Sequence, residues 1–162
     1  MKKAFSSAAV LFALTLVLAA CGGDDEPTGS AAPPATTAAP AATGGTTVAV
    51  ATVPAGDVLV DGEGRTLYIF TKDQGDQSAC SGECLTNWPP LKSDAAPTAG
   101  SGVDAAKLGV AKQADGTSQV TYDGMLLYYF AADTKAGETK GQGVGDVWWM
   151  LGPDGQQIKT KS

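Results

Sequence analysis

The chain has 162 residues, no histidine, and seventeen acidic residues against eleven basic ones, for a net charge of −6. That balance argues against nucleic acid, whose phosphates demand Lys and Arg contacts, and against lying flat on anionic lipid. Absence of His removes the commonest zinc, copper and haem ligand and the usual general base, so no metal or cofactor is expected.

Met1-Lys2-Lys3 opens the chain, and the run from Ala4 to Ala20 is apolar apart from Ser6, Ser7 and Thr15, with no acid before Asp24. This is the layout of a secretory signal peptide over residues 1–20, and the run is shorter than the roughly 20 residues that span a bilayer. It closes on Leu18-Ala19-Ala20-Cys21, which resembles a bacterial lipobox. The resemblance implies that the peptide is cut before Cys21 and that lipid is attached to its thiol. The expected location is therefore extracytoplasmic, anchored to the bacterial cell membrane. A diacylglyceryl group supplies the two acyl chains that durable anchoring requires. Removing residues 1–20 takes away two lysines, so nine basic residues face seventeen acids and the mature net charge is −8.

Gly22 to Thr47 contains no Leu, Ile, Val or aromatic residue. Such a stretch cannot bury enough apolar surface to offset its ordering entropy, so residues 21–47 are read as a lipidated cysteine and a tether. As a coil of about 26 residues the tether would reach on the order of 28 Å. The folded part is then 48–162, one small domain.

Assigning Cys21 to lipid leaves Cys80 and Cys84 as a pair with one connectivity. In an oxidising compartment they should form a disulfide, a local staple worth about 2 kcal/mol given its short loop. The alternative is a redox-active pair. The spacing is CxxxC rather than CxxC, and the mature chain has no further Cys or His to complete a metal site. A copper site on Met125, Met150 and cysteine has only residues distant in sequence to draw on.

Shifting the domain by 60 residues without gaps pairs Val50 with Val110, Ala51 with Ala111, Gly56 with Gly116, Val60 with Val120 and Gly64 with Gly124. It continues through Leu67 and Leu127, Tyr68 and Tyr128, Phe70 and Phe130, Asp73 and Asp133, Trp88 and Trp148, Leu91 and Leu151, and Asp94 and Asp154. The rare aromatics in this set mark an internal duplication, with copies at 48–107 and 108–162. In the first copy, strands are expected over Val48–Val53, Val58–Val60 and Arg65–Phe70, with turns at Pro54–Asp57 and near Glu63-Gly64. In the second they fall over Leu108–Gln113, Gln119–Tyr122 and Met125–Phe130, with Asp123-Gly124 as a hairpin signal. Asp104–Leu108 suits one helical turn, and a last hairpin joins Trp148–Leu151 to Gln156–Lys159. The fold expected is all-β, two tandem meanders forming a pseudo-twofold sandwich or barrel.

Tyr68-Ile69-Phe70-Thr71-Lys72-Asp73 and Tyr128-Tyr129-Phe130-Ala131-Ala132-Asp133 both carry Y-x-F-x-x-D. With the lipobox, Leu67, Leu127 and Asn87-Trp88-Pro89-Pro90, the chain resembles the secreted-repeat lipoprotein family, defined by a Y-x-(F/W/Y)-x-x-D motif. That family implies an exported lipoprotein and no particular biochemistry.

Period two puts Tyr68 and Phe70 on one face of a strand and Leu67 and Ile69 on the other, so this strand belongs in the middle of the fold. Two roles are open for the motif residues Tyr68, Phe70, Asp73, Trp88, Tyr128, Phe130, Asp133 and Trp148. They form a core whose Tyr hydroxyls need buried partners and whose Asp residues close turns, or they line paired pockets. In Trp148-Trp149, alternation would send one ring inward and leave the other partly exposed, free to stack on a sugar or a partner; the stronger alternative is that both rings are core or cover a hydrophobic end. The Gly141-x-Gly143-x-Gly145 segment lacks the strand-to-helix context of a phosphate loop and reads as flexible.

The function expected is a non-enzymatic envelope module binding a cell-wall glycan or an envelope protein. The alternative is an envelope redox or electron-transfer accessory using Cys80 and Cys84. A hydrolase is the weakest reading, since no acid–base constellation can be assembled from spacing.

Overall fold

β1 (Thr47–Val53) and β2 (Gly56–Asp61) open the fold as an antiparallel hairpin with Val53 opposite Gly56 and Val48 opposite Asp61. The turn is only Pro54-Ala55, tighter than the expected Pro54–Asp57, because Gly56 takes a φ of 121° that other residues avoid. The computed structural model describes residues 45–160; the signal segment 1–20, Cys21 and the tether to residue 44 lie outside them. Thr46 is already tied in, its hydroxyl donating to the Lys92 carbonyl at 2.9 Å.

β3 (Tyr68–Phe70) is followed by a short helix, α1 (Glu83–Asn87), and by β4 (Thr98–Ala99), which pairs in parallel with β1. A 3₁₀ turn at Ala105–Lys107, capped by the Asp104 carboxylate at 2.9 Å from the Ala106 N–H, leads into β5 (Leu108–Lys112). β6 (Ser118–Tyr122), β7 (Met125–Leu126) and β8 (Trp148–Met150) complete the strands. The sheets are small, ordered β2-β1-β4, β3-β8 and β5-β6-β7, and single bridges join them. The described residues are thus mostly β with one α-helix, and no closed barrel forms. The last hairpin forms as expected, with Leu151 bridging Gln157.

The two copies interlock rather than stand side by side. β3, from the first copy, pairs with β8 from the second. The equivalent segment of the second copy pairs with the Trp88 segment of the first: the Tyr129 N–H donates to the Pro89 carbonyl at 2.8 Å and the Ala131 N–H to the Asn87 carbonyl at 2.9 Å. The counterpart of the latter bond runs from the Thr71 N–H to the Val147 carbonyl, also at 2.9 Å. Between them the Tyr68 and Tyr128 backbones exchange two bonds, at 2.8 and 2.9 Å, marking the pseudo-twofold centre. Each copy therefore lends its Trp segment to the other.

The ungapped pairing of Val60 with Val120 does not survive. The Leu59 N–H donates to the Leu151 carbonyl, and the bond in the same place of the second copy is made by Val120, to Leu91. Side chains alternate with period two, so a one-residue slip moves a residue to the other face. Val60 and Val120 accordingly lie in different cores.

Those cores lie on opposite faces of the central strands. One gathers Val58, Val60, Tyr68, Trp88, Leu126, Tyr128, Trp148 and Met150; the other gathers Leu59, Leu67, Ile69, Val120, Leu127, Trp149 and Leu151. Alternate residues of each Y-x-F strand feed different cores, as expected for a strand apolar on both sides. Each fully buried Leu, Val or Met side chain contributes about 1.5–3 kcal/mol. This is also why Trp148 and Trp149 are both buried, at 4% and 7% exposure, the core alternative rather than one exposed ring.

Candidate functional site

The motif residues converge at the pseudo-twofold centre in exchanged pairs. The Tyr68 hydroxyl donates to Asp133 Oδ2 at 2.5 Å, and the Tyr128 hydroxyl to Asp73 Oδ2 at 2.8 Å. Phe70, Trp148, Trp88 and Phe130 stack in that order, with ring centroids 4.3, 3.9 and 4.4 Å apart. Tyr68 meets Trp88 edge-on, and Tyr128 meets Trp148 likewise. Each aromatic pair is worth about 0.5–1.5 kcal/mol beyond its burial. Burial pushes the Tyr68 and Tyr128 hydroxyls well above the ordinary tyrosine value. The Asp133 hydrogen bond adds to this at Tyr68, whereas at Tyr128 the Ser78 hydroxyl opposes the push.

Both Asp side chains also close the loop that follows them, as a turn-closing Asp should. Asp73 accepts from the Ala79 N–H at 2.8 Å and Asp133 from the Lys140 N–H at 3.0 Å. The first loop continues to Cys80, disulfide-bonded to Cys84 at the start of α1, which delivers Trp88 to the stack. In the second loop Gly141 lies under the rings. A Cβ there would come within 2.9 Å of both Trp88 and Tyr68, while Gly143 and Gly145 take positive φ. These glycines answer to close approach and left-handed turns, and the segment expected to be flexible is bonded through Gly141, Gln142 and Gly143.

The copies differ in the loop after the motif Asp and in the turn that faces it. In the second, the loop 134–139 spans six residues between Asp133 and Lys140 and folds onto the turn after β2. The Gly137 N–H donates to the Gly64 carbonyl at 3.1 Å and the Thr66 hydroxyl to the Glu138 carbonyl at 2.7 Å. Glu138 holds this loop shut. Its carboxylate accepts from the Thr134 and Lys135 N–H groups and meets the Lys140 ammonium at 2.9 Å, which with those N–H groups pulls its pKa down to about 2.

In the first copy the loop 74–78 is five residues, and it docks on Gln113 instead, through Ser78 and Asp76. The facing turn is shorter as well: Val120 and Leu127 are bonded seven residues apart, against eight for Leu59 and Leu67. With both walls one residue shorter, a cleft of about 170 Å³ stays open between them. Ile69, Phe70, Thr71, Asp73 and Gly75 form one side, Gly124, Met125 and Leu126 the other, and Gln157 an end. Asp73 is half-buried here, and burial raises its carboxyl above the ordinary value against the pull of the Ala79 N–H and Tyr128 hydroxyl. The Gln157 Oε1 is buried with no donor among the described residues.

Residues 49–92 and 109–151 each match the family described as a secreted repeat of unknown function, Lipoprotein_15, together more than half of the chain. The chain belongs to this family. Neither a curated protein nor a solved structure matches it. The matched segments of the secreted repeat contain Tyr68, Phe70, Asp73 and Trp88 in one copy and Tyr128, Phe130, Asp133 and Trp148 in the other, so the repeat motif is the interlocked centre just described.

Of the sequence candidates, Phe70 and Asp73 reach the cleft; Tyr68, Trp88, Phe130, Asp133 and Trp148 serve the first core, and Trp149 the second. Tyr128 belongs to the first core and bonds the cleft residue Asp73. Gly75, Gly124, Met125, Leu126 and Gln157 were not anticipated. Allowing one-residue gaps between the copies would have pointed to them, because the cleft lies where the copies differ in length. Also unanticipated is Asp61, which is buried and accepts from the Arg65 guanidinium and, at 2.9 Å, from the Tyr129 hydroxyl. It holds the turn after β2 in shape.

Proposed function

We propose that this secreted-repeat protein is a non-enzymatic binding module held at the outer face of the cell membrane by lipid on Cys21, and that its ligand site is the first-copy cleft. One observation carries the reading: two copies of one scaffold fill equivalent places differently, one with its own loop and the other with nothing from the described residues. Divergent loops on a shared scaffold are where binding is usually built. Exposed indoles do not support it, since all three Trp are buried, so recognition rests on the cleft walls.

General acid–base catalysis wants positioned groups that titrate near the working pH. The cleft offers Asp73, with the Tyr128 proton held firmly on its oxygen behind it. Its volume is below the roughly 300–1,000 Å³ of drug-sized ligand clefts, which suits one small group of a larger envelope component such as a cell-wall glycan or protein.

Trp148 stacks on Phe70, which lines the cleft, so occupancy should change indole emission. Titration of the purified chain with solubilised wall fragments should give a saturable fluorescence change. A flat response across all fractions counts against a wall ligand.

A further inference from the structure

Resting on that reading, the cleft can be given a ligand chemistry. We infer that it takes a primary ammonium on a short aliphatic stem, with the ammonium at Asp73 and the stem along Ile69, Phe70, Met125 and Leu126.

The walls supply the argument. No Lys or Arg lines the cleft, and Asp73, its charged residue, has no ion-pair partner among the described residues. Beyond Gln157, which borders both, a wider depression of about 420 Å³ is flanked by Asp57 and Asp154, again with no cation in its lining. Lys107 reaches the Asp154 carbonyl, but its ammonium is shared with Asp123 at 3.8 Å. Asp73 in the cleft and Asp57 and Asp154 in the neighbouring depression make a negative field that favours a cation over an anion.

Apart from Thr71, Gln157 and two glycines, the remaining wall is apolar. Ile69 and Leu126 are almost wholly buried, and Phe70 and Met125 are partly so. Methylenes would displace water from the exposed parts of Phe70 and Met125. Gln157, whose Oε1 is buried with no donor among the described residues, closes the end of the same cleft.

An ammonium of this kind comes from a free diamine or from a lysine side chain. Amide spectra of the ¹⁵N-labelled full chain, titrated with cadaverine or Nα-acetyl-lysine amide, with 1-pentanol as the neutral control and glucosamine as an amine without a stem, separate these sources. The two stemmed amines should shift Phe70–Asp73 and Gly124–Leu126, and pentanol and glucosamine should act at least tenfold more weakly. Asp73→Asn keeps an acceptor for the Ala79 N–H and should weaken amine binding at least tenfold. Met125→Lys, at a half-exposed position, should abolish it by placing an ammonium in the cleft. If pentanol shifts the cleft as strongly as the amines, or if Asp73→Asn binds them unchanged, the ammonium assignment is overturned while the cleft stands as a site. If amines shift only resonances elsewhere, both fall.

Discussion

Removing the Tyr68 hydroxyl tests the exchanged pairs at the pseudo-twofold centre. Tyr68 is fully buried and Asp133 is 8% exposed, and the hydroxyl both donates to Asp133 at 2.5 Å and accepts from the Gly141 N–H at 3.3 Å. Tyr68→Phe leaves a buried carboxylate with the Lys140 N–H as its remaining donor and strands the Gly141 N–H. A hydrogen bond to a charged group is worth about 1.5–3 kcal/mol and a stranded buried group about 1–3, so a loss of roughly 3 kcal/mol is expected. Tyr128→Phe removes the equivalent bond, but Asp73 is half-buried beside an open cleft and water can replace the hydroxyl. Its expected loss is about 1 kcal/mol. For a domain of this size the two losses correspond to drops in Tm of roughly 10 °C and 4 °C. Urea unfolding should show the difference in midpoint at an unchanged m value. Equal losses, or a Tyr68→Phe loss below about 1 kcal/mol, would show that the pairs do not bear the load their burial implies.

Gly141→Ala should cost about 1–3 kcal/mol by overpacking, since its Cβ would meet Trp88 and Tyr68 at 2.9 Å; a neutral outcome in urea unfolding would contradict the close approach. Glu138 has its folded pKa near 2, below its ordinary 4.5, so its stabilisation is present above 4.5 and is lost as pH falls toward 2. Glu138→Gln should therefore lose less stability than wild type between pH 5 and 2.5, measured as urea midpoints. Because each copy lends its Trp segment to the other, residues 45–104 and 105–160 made separately should show little tertiary signal in near-ultraviolet circular dichroism and regain it on mixing. Cooperative folding of either fragment alone would refute the interlock.

The elements that follow from local rules were legible. The hairpin β5–β6, the turn at Asp123-Gly124, the Asp104 cap and the Cys80–Cys84 pair sit where composition and spacing put them. The two open roles of the Y-x-F-x-x-D residues resolve largely toward core, with Phe70 and Asp73 also bordering the cleft. What stayed hidden depends on pairing at long range. Nothing local says that Phe70 stacks on Trp148 of the other copy, or that Trp149 meets a second core. α1 is five residues long, too short for a helical period to show. The cleft was concealed by the ungapped comparison itself, which aligned Val60 with Val120 and so absorbed the one-residue differences in turn and loop that open it.

The most direct test of the central claim is to map wall-fragment binding on the amide spectrum of the full chain, beside a Met125→Trp variant that fills the cleft from its rim. The account predicts shifts at Phe70–Asp73 and Gly124–Leu126 in the parent chain and their loss in the variant. Equal shifts in both proteins, or shifts centred on Gly64–Thr66 and Ala136–Glu138, would contradict it.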